Sequence, residues 1–355
     1  MNVVDTAIQG VRAKNETRRK KHKQSRWYTK ELKSLLGNTW AMFYAILGGR
    51  MTGKSYALMD YLCNQKRKKG DMCKLYWLRI SETSTKFMLA NKAEKLVDPD
   101  LVRKYHLELS TKGMNVYDHS KLFMQVMPLS AMGKLKGNAF FDKDYLGEYI
   151  IVLDEFQLEQ GEKRTSFDIL YNFIGMIENI ARTTKSKIRI FLVGNTLEEA
   201  SGILKAFDFI PEGFGRYYLK RKRCIIDNIE PTEEYLKDRK GSAADILGGD
   251  QMSNYTNELR KDLSLIDKRR LTKPQYIIKF GKTKKDTFLV WDNNIITRYK
   301  GQPITVSVAM KPYLDDRYNP ERRQMVIDMF DAKAYKFDTL ITLSYFQGEL
   351  QKIRK

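Results

Sequence analysis

Residues 41–55 read AMFYAILGGRMTGKS, an apolar run of seven residues followed by a glycine-rich turn. The turn matches G-x-x-x-x-G-K-[ST], the phosphate-binding loop that joins a strand to a helix. The apolar run supplies the strand, and an amphipathic segment over 55–69 supplies the helix. Glycines let backbone N–H groups turn inward around a phosphate, and the helix N-terminus adds partial positive charge. The stretch therefore predicts a nucleotide-binding loop made of Gly48, Gly49, Arg50, Met51, Thr52, Gly53, Lys54 and Ser55.

Two acids follow an apolar run farther along the chain, where Tyr149-Ile-Ile-Val-Leu153 leads into Asp154 and Glu155. Nucleotide hydrolysis needs a magnesium ligand and a base that polarises the attacking water. We expect Ser55 and Asp154 to hold Mg²⁺. We expect Glu155 to be the catalytic base and Lys54 to contact the β- and γ-phosphates. An Asp followed directly by Glu favours repeated hydrolysis over phosphoryl transfer to a small molecule.

Asn195 ends another apolar run, over 188–194. A polar side chain at this position could contact the γ-phosphate or orient water. The same residue also begins Asn195-Thr-Leu-Glu198, which has the pattern of a capping box for a following helix. Both interpretations stay open. The chain has no Asn-Lys-x-Asp after a strand to select guanine, so the sequence favours ATP as the nucleotide.

Short apolar runs alternate with amphipathic stretches from about residue 40 to 220, which predicts an α/β domain with a mainly parallel sheet. The predicted strands are 41–47, 74–80, 122–127, 149–153 and 188–194, and the clearest helices are 55–69 and 167–181. The later part reads as α+β, with strands at 224–227, 275–280, 286–291, 294–299 and 304–310 and helices at 320–332 and 338–353. We therefore divide the chain into a basic arm (1–34), an ATPase domain (35–222), a linker or small helical subdomain (223–272) and a C-terminal domain (273–355).

The 355 residues include 64 Lys and Arg against 43 Asp and Glu, a formal net charge of +21. Such a field favours a polyanionic partner such as nucleic acid, although it could also serve solubility alone. Residues 1–30 hold nine of the basic residues and only Asp5 and Glu16 as acids. This segment is either a nucleic-acid contact or an uninvolved tail.

Several classes of protein are disfavoured by what the chain lacks. No apolar run approaches the roughly 20 residues that span a bilayer, and no secretion signal is recognisable, so no membrane partner is expected. Three cysteines and three histidines show neither disulfide nor zinc spacing. The cysteines are Cys63, Cys73 and Cys224, and the histidines are His22, His106 and His119. A reducing cytoplasm fits this composition.

An ordered set of motifs over residues 40–220 resembles the DNA packaging (encapsidation) ATPase of short-tailed, phi29-like bacteriophages. The set consists of Gly48–Ser55 with Tyr56-Ala-Leu-Met59, Leu78-Arg79, Pro128-Leu-Ser130, Asp154-Glu-Phe156 and the strand that ends at Asn195. The phosphate loop alone is shared by many ATPases, whereas the ordered set is much more specific. Beyond residue 220 the likeness is thinner. Met51 and Thr52 replace the small residues often found inside the loop, and the N-terminal arm is longer than the pattern requires.

The resemblance implies a P-loop ATPase domain of the additional-strand (ASCE) class, a linker, and a C-terminal domain like a ribonuclease H fold without nuclease activity. It also implies a homomeric ring, with five subunits expected, that acts in the host cytoplasm at the portal of a capsid. Double-stranded DNA, the phage portal or connector and a structural packaging RNA are the implied partners. ATP and Mg²⁺ are the implied ligands.

The resemblance also assigns two residues that act on the nucleotide of a neighbouring subunit. Arg182 falls at the position of the arginine finger, and Lys136 matches a second trans-acting basic position, so both are predicted as catalytic. A cation supplied across an interface stabilises charge on the transferred phosphoryl group. The simpler interpretation of Arg182 is one more solvated charge. Arg79 is either a sensor or the partner in a buried ion pair.

A motor that moves any sequence of DNA should contact phosphates rather than base edges. Candidate contacts are Lys66–Lys69, Arg216 with Lys220–Arg223, Lys268–Arg270, Lys282 with Lys284 and Lys285, and the loop 131–137. Nuclease activity is not expected, because the segment 275–280 has no carboxylate for a two-metal site and Asp286 and Asp292 lie at strand edges. Two other functions stay open: a helicase or partition-type ATPase, and a nucleotide-binding scaffold without turnover.

Overall fold

A mixed sheet with parallel central strands dominates the first part of the chain. The structure is a computed structural model that describes residues 28–132, 144–156, 165, 167–181, 187–195, 202–242, 246, 263–272, 274–281, 283–301 and 320–354. These residues divide into two units. The first unit is formed by parts of 1–207 and 213–259, and the second by parts of 208–212 and 260–355.

The strands of the first unit, within the described residues, are β1 (Phe43–Leu47), β2 (Cys73–Arg79), β3 (Leu109–Lys112), β4 (Asn115–Asp118), β5 (Lys121–Pro128), β6 (Glu148–Asp154), β7 (Lys187–Gly194), β8 (Gly215–Leu219) and β9 (Cys224–Asn228). They pair in the order β3-β4-β5-β2-β6-β7-β1-β9-β8. The six strands from β5 to β9 in that order are parallel, and β3, β4 and β8 add antiparallel edges. One strand, β7, therefore lies between β1 and β6.

The helices of the first unit, among the residues described, are α1 (Thr29–Leu36), α2 (Lys54–Lys69), α3 (Glu82–Ala93), α4 (Pro99–Tyr105), α5 (Ile169–Ile180), α6 (Gly202–Ala206) and α7 (Glu233–Arg239). Short 3-10 turns cover Gly70–Met72, Leu129–Ala131 and Lys220–Lys222. The helix α3 is kinked at residues 90–92, where the backbone leaves helical geometry. Across all described residues, none of the helices combines the length and the apolar composition that a bilayer crossing requires.

Burial on both faces explains the continuous apolar runs of the central strands. Every residue of β6 is buried, and β1 is buried from Tyr44 onward. Parallel strands covered by helices on both faces read as unbroken Val, Ile and Leu runs. The prediction of an α/β fold with a mainly parallel sheet is confirmed, and each of the five strands predicted before residue 220 is present within one or two residues of its expected bounds.

The limits of the first unit differ from the domain boundaries predicted from the sequence, which ended the basic arm at residue 34 and began the linker at residue 223. The strand β9 pairs along its whole length with β1, so Cys224–Asn228 belongs to the large sheet. At the other end, Tyr28 and Leu32 of the expected arm are buried in the core of the unit. Tertiary pairing decides both limits, because the sequence indicates a strand at 224–227 but not the sheet to which it belongs.

The second unit contains a four-stranded sheet in the order β10-β11-β12-β13, within its described residues. The elements are β10 (Pro274–Lys279), β11 (Thr287–Trp291), β12 (Ile295–Arg298), α8 (Pro320–Asp331), β13 (Lys336–Phe337) and α9 (Leu340–Ile353), with 3-10 turns at Leu263–Leu265, Lys284–Asp286 and Asp292–Asn294. The first three strands are antiparallel, and β13 joins in parallel. The predicted strand at 304–310 lies outside the described residues. Phe346 of α9 is fully buried and packs against the rings of Phe280, Phe288, Phe330, Tyr335 and Phe337.

Candidate active site

The loop between β1 and α2 has the backbone geometry that a phosphate-binding turn requires. Gly53 adopts φ 81°, a left-handed conformation that costs glycine nothing, and Met51 adopts φ 62°. A Cβ on Gly48 would lie 3.0 Å from Cβ of Ile229, which follows β9. The Thr52 hydroxyl donates to the carbonyl of Gly49 at 3.0 Å. The loop is therefore closed on itself and packed against the chain that leaves β9.

Lys54 lies under this loop, with only 6% of its surface exposed. Its ammonium donates to the carbonyl oxygens of Gly48 at 2.8 Å and Gly49 at 2.6 Å. Burial lowers the pKa of Lys54 to about 8, although the negative charge of Asp154 opposes the shift. The loop thus holds a desolvated cation beside the turn in which a phosphate would lie.

The two acids follow directly from β6. Asp154 is its last residue and is 6% exposed, whereas the Glu155 side chain is 55% exposed and its backbone is left-handed at φ 51°. Arg79, at the end of the neighbouring β2, forms ion pairs with both: 2.8 Å to Asp154 and 2.6 Å to Glu155. Burial raises the pKa of Asp154 to about 6, and Arg79 opposes that shift. Of the two roles considered for Arg79, the structure shows the ion pair.

The phosphate-binding loop and the two acids, Asp154 and Glu155, line one cleft with a volume of about 360 Å³. They meet because β1, β7 and β6 are parallel neighbours, so that their carboxyl ends lie at the same edge of the sheet. Gly48 and Gly49 contribute their carbonyl oxygens to the Lys54 site. The predicted residues that line the cleft are Arg50, Met51, Thr52, Gly53, Lys54, Ser55, Asp154, Glu155 and Asn195.

Three predictions fall on parts of the chain outside the described residues. They concern Arg182, Lys136 and the rest of the capping pattern after Asn195. Asn195 itself lines the cleft and is partly buried, which agrees with a contact to phosphate or water.

The donor set fits a magnesium-bound triphosphate. A buried cation and the N-terminus of α2 face the cleft from one side, and a buried carboxylate with a raised pKa faces it from the other. The exposed Ser55 is the second residue of α2 and lines the same cleft as Asp154. Hydroxyl and carboxylate oxygens are ligands that Mg²⁺ prefers.

Sequence reasoning missed other residues at this site. Tyr56, Val193 and Gly194 also line the cleft. Tyr235 of α7 donates its hydroxyl to the carbonyl of Arg50 at 2.8 Å, which ties the loop to a helix assigned to the linker. Tyr56 could have been found from its place in the phosphate-loop helix. Tyr235 carries no signal in the sequence, since it reaches the loop only through the pairing of β9 with β1.

The candidate DNA contacts differ in their surroundings. The Arg216 side chain is only 7% exposed and forms an ion pair with Asp227 at 2.9 Å, so its interpretation as a DNA contact is corrected. It is part of a core network because β8 and β9 pair side by side. Lys268 lies 2.6 Å from Glu212, and Lys282 lies outside the described residues.

Comparisons with known proteins identify the family of the chain and support its fold. Residues 23–347 match the family model of the podovirus DNA encapsidation protein (Gp16). The solved viral genome packaging motor assembly of bacteriophage phi29 is similar, with a TM-score of 0.62 and 19% identity over 93% of this chain and 100% of that chain. The phi28 gp11 DNA packaging motor has a TM-score of 0.58 and 14% identity over 93% and 98%.

A third solved structure, the N-terminal domain of the DNA packaging ATPase from bacteriophage phi29, has a TM-score of 0.46 and 22% identity over 57% of this chain and 96% of that chain. No curated protein sequence matches the chain. The family model over residues 23–347 confirms the family predicted from the ordered motifs.

Proposed function

Because the chain belongs to the podovirus DNA encapsidation protein family, we propose that it hydrolyses ATP to move double-stranded DNA into a viral capsid. The single observation that carries the proposal is the cleft in which the Lys54 loop and the acids Asp154 and Glu155 meet. A loop that binds phosphate without acids beside it would bind nucleotide and leave it intact.

The strand order supports the additional-strand class of P-loop ATPases. In this class an extra strand separates the strand that leads into the phosphate loop from the strand that carries the magnesium acid. Here β7 separates β1 from β6. The polar residue after β7, Asn195, then lies between loop and acids, where it can contact the terminal phosphate or the attacking water.

The chemistry assigns one task to each side chain. Lys54 neutralises the β- and γ-phosphates, and its burial keeps it from forming other solvent-exposed pairs. Ser55 and Asp154 would hold Mg²⁺, which neutralises charge that develops on the phosphates. Glu155 accepts the proton of the attacking water, since its side chain lines the cleft and is 55% exposed. Arg79 holds both acids in place through its two ion pairs.

The finer assembly is proposed from the resemblance. The subunits form a homomeric ring, with five expected, at the portal of the capsid in the host cytoplasm, where a structural RNA is a further partner. Arg182 and Lys136 of one subunit act on the nucleotide of its neighbour. The second unit acts as an inactive, ribonuclease H-like domain. In support of the loss of activity, Asp286 and Asp292 accept hydrogen bonds from neighbouring side chains of Thr283 and Thr272.

The test compares phosphate release by the full chain and by Glu155→Gln, with and without double-stranded DNA over a salt series. Wild-type turnover should be stimulated by DNA, and the variant should lose at least about 100-fold in kcat while it still binds ATP. Glu108→Gln is a matched control, because Glu108 is a largely exposed carboxylate on the edge of the sheet that carries β3. Unchanged turnover in Glu155→Gln would remove it as the base. ATP-dependent stabilisation without any phosphate release would favour a scaffold, and unwinding of a duplex would favour a helicase.

A further inference from the structure

We propose that the edge of the large sheet at which its parallel strands begin is a binding surface for the phosphate backbone of double-stranded DNA. This surface, here called the basic edge, carries seven exposed cations: Arg67, Lys68, Lys187, Lys220, Arg221, Lys222 and Arg223. The choice of DNA as the polyanion rests on the proposed function. The position of the surface does not.

The strand register brings segments that are far apart in sequence to this edge. Cys73 of β2 pairs with Glu148 of β6, which pairs with Lys187 of β7. Phe43 of β1 pairs with Cys224 of β9. Neighbouring strands are about 4.8 Å apart, so the four steps from β2 to β9 span roughly 19 Å. The edge is therefore about as wide as a DNA duplex.

The last turn of α2 is held at one end of this edge. Lys66 donates to the carbonyl of Cys73 at 3.2 Å, and Lys69 lies 2.5 Å from the buried carboxylate of Glu148. Both lysines therefore already have partners within the protein. Arg67 and Lys68 lie between them in sequence and are exposed.

The turn between β8 and β9 is held at the other end. The carbonyl of Arg223 accepts the backbone N–H groups of Met42 at 2.8 Å and Phe43 at 3.0 Å. The Arg223 and Lys222 side chains reach back to the carbonyls of Trp40 and Ala206, while Lys220 and Arg221 are exposed. A turn fixed by backbone hydrogen bonds presents its charges with little further loss of backbone conformational entropy.

The charge balance of the edge is strongly positive. In the loops at the starts of these strands, the exposed carboxylates of the described residues are Asp71 and Asp144. Ion pairs at the edge use Lys66, Lys69 and Arg189. Within the described part of the chain, none of the seven cations of the basic edge takes part in an ion pair. Basic residues at the C-terminus of a helix also complement its dipole. That explanation covers Arg67 and Lys68 but not Lys187 or the β8–β9 turn.

The basic edge is separate from the cleft. From Glu148 to Asp154, β6 advances six residues, which is about 20 Å at the rise of a strand. Substitutions at one end of the strands can therefore change DNA binding while they leave basal ATP hydrolysis intact.

The experiment uses the full chain with four substitutions, Arg67→Gln, Lys68→Gln, Lys220→Gln and Arg221→Gln. Binding of a short DNA duplex is measured by fluorescence anisotropy over a salt series. Each lost phosphate contact lowers the slope of log K against log salt by about 0.9, so four lost contacts should lower it by about 3.6 and weaken Kd at least about 10-fold at 0.1 M salt. The matched control replaces four exposed lysines elsewhere, at Lys92, Lys95, Lys112 and Lys237, and should change Kd by less than about twofold.

If the variant with four substitutions keeps the wild-type slope of log K against log salt, the proposal is overturned. Preferential binding of an RNA duplex at this edge would also overturn it. Should the four-fold variant fold poorly, the single charge reversal Lys187→Glu tests the same surface, and unchanged DNA affinity there would also count against it. The rate of phosphate release measured without DNA distinguishes a failure of the proposed function from a failure of the basic-edge proposal. If the wild-type chain does not hydrolyse ATP but the variant with four substitutions still binds DNA more weakly than wild type, the proposed function fails and the proposal for the basic edge stands.

Discussion

At the scale of single residues, Arg79 is the side chain that organises the acids. One guanidinium nitrogen pairs with Asp154 and the other with Glu155. Arginine presents its donors in a planar fork, whereas lysine is a point charge on a flexible stem. A lysine at this position could neutralise one carboxylate but could not hold both in the same arrangement.

We therefore expect Arg79→Lys to lower kcat for ATP by at least about 10-fold while the affinity for ATP changes little. Steady-state phosphate release and binding of a fluorescent ATP analogue measure the two quantities. Arg103→Lys is the matched control, because Arg103 is largely exposed and pairs with Asp100 on the same helix. Equal kcat in Arg79→Lys and Arg103→Lys would show that the double ion pair has no part in turnover.

At the scale of elements, the chain that leaves β9 supports the phosphate loop. The Ile229 N–H donates to the carbonyl of Leu47 at 2.8 Å, and the Tyr235 hydroxyl donates to the carbonyl of Arg50 at 2.8 Å. Thr232 caps α7 by accepting the N–H of Tyr235 at 3.0 Å. The helix α7 is thereby attached to the loop through one side-chain hydroxyl.

Removal of that hydroxyl in Tyr235→Phe should raise KM for ATP about 5-fold and leave kcat nearly unchanged, since one neutral hydrogen bond contributes about 1 kcal/mol. The effect should appear in ATP affinity without a large change in thermal unfolding of the free protein. Tyr218→Phe is the control, since Tyr218 is a half-exposed tyrosine on β8. A KM equal to that of the control would mean that α7 does not position the loop.

A second element-scale contact attaches α1 to the sheet. The Tyr28 hydroxyl and the Arg216 guanidinium both donate to the buried carboxylate of Asp227, and Arg216 also donates to the carbonyl of Glu31 at 3.1 Å. Burial, followed by the charge of Asp227, raises the pKa of Tyr28 well above its usual value, so its hydroxyl stays a donor.

Replacement of Arg216 by Met leaves the Asp227 carboxylate buried without its cation. We expect the free energy of unfolding of the first unit to fall by about 3 kcal/mol, because breaking one side of a buried ion pair costs about 3–5 kcal/mol. Urea unfolding followed by tryptophan fluorescence measures the loss. Arg103→Met, at an exposed ion pair, should cost less than about 1 kcal/mol. A similar small loss in both variants would contradict the assignment of Arg216 to the core.

At the scale of the whole molecule, the proposed ring makes hydrolysis depend on two subunits. Subunits with Arg182→Ala lack the proposed trans-acting cation but keep a complete cleft, and subunits with Glu155→Gln lack the base but keep Arg182. In a mixture, some interfaces combine an intact cleft with an intact Arg182. We expect partial recovery of phosphate release relative to either variant alone, measured over a series of mixing ratios. Activity that stays at the level of the separate variants would count against trans action.

Local signals in the sequence were sufficient to predict the parallel sheet, the phosphate-binding loop and the two acids. Continuous apolar runs indicate strands that are buried on both faces of the sheet. The glycines of the loop indicate a backbone conformation that is unfavourable for other residues. Both signals are local, so Gly53, Lys54 and Asp154 could be assigned from the order of residues alone. The order of these local motifs along the chain was also enough to identify the family.

Which distant segments of the chain meet depends on long-range strand pairing. The pairing of β9 with β1 moved Cys224–Asn228 into the large sheet and brought Tyr235 to the phosphate loop. The same pairing placed the turn at 220–223 on the edge that also holds Lys187. The pairing of β8 with β9 brought Arg216 next to Asp227, with which it forms an ion pair. Strand order depends on long-range burial, which no window of sequence records. For that reason the loop and the basic runs could be predicted from the chain, whereas the supports of the loop and the meeting of those runs at one edge of the sheet could not.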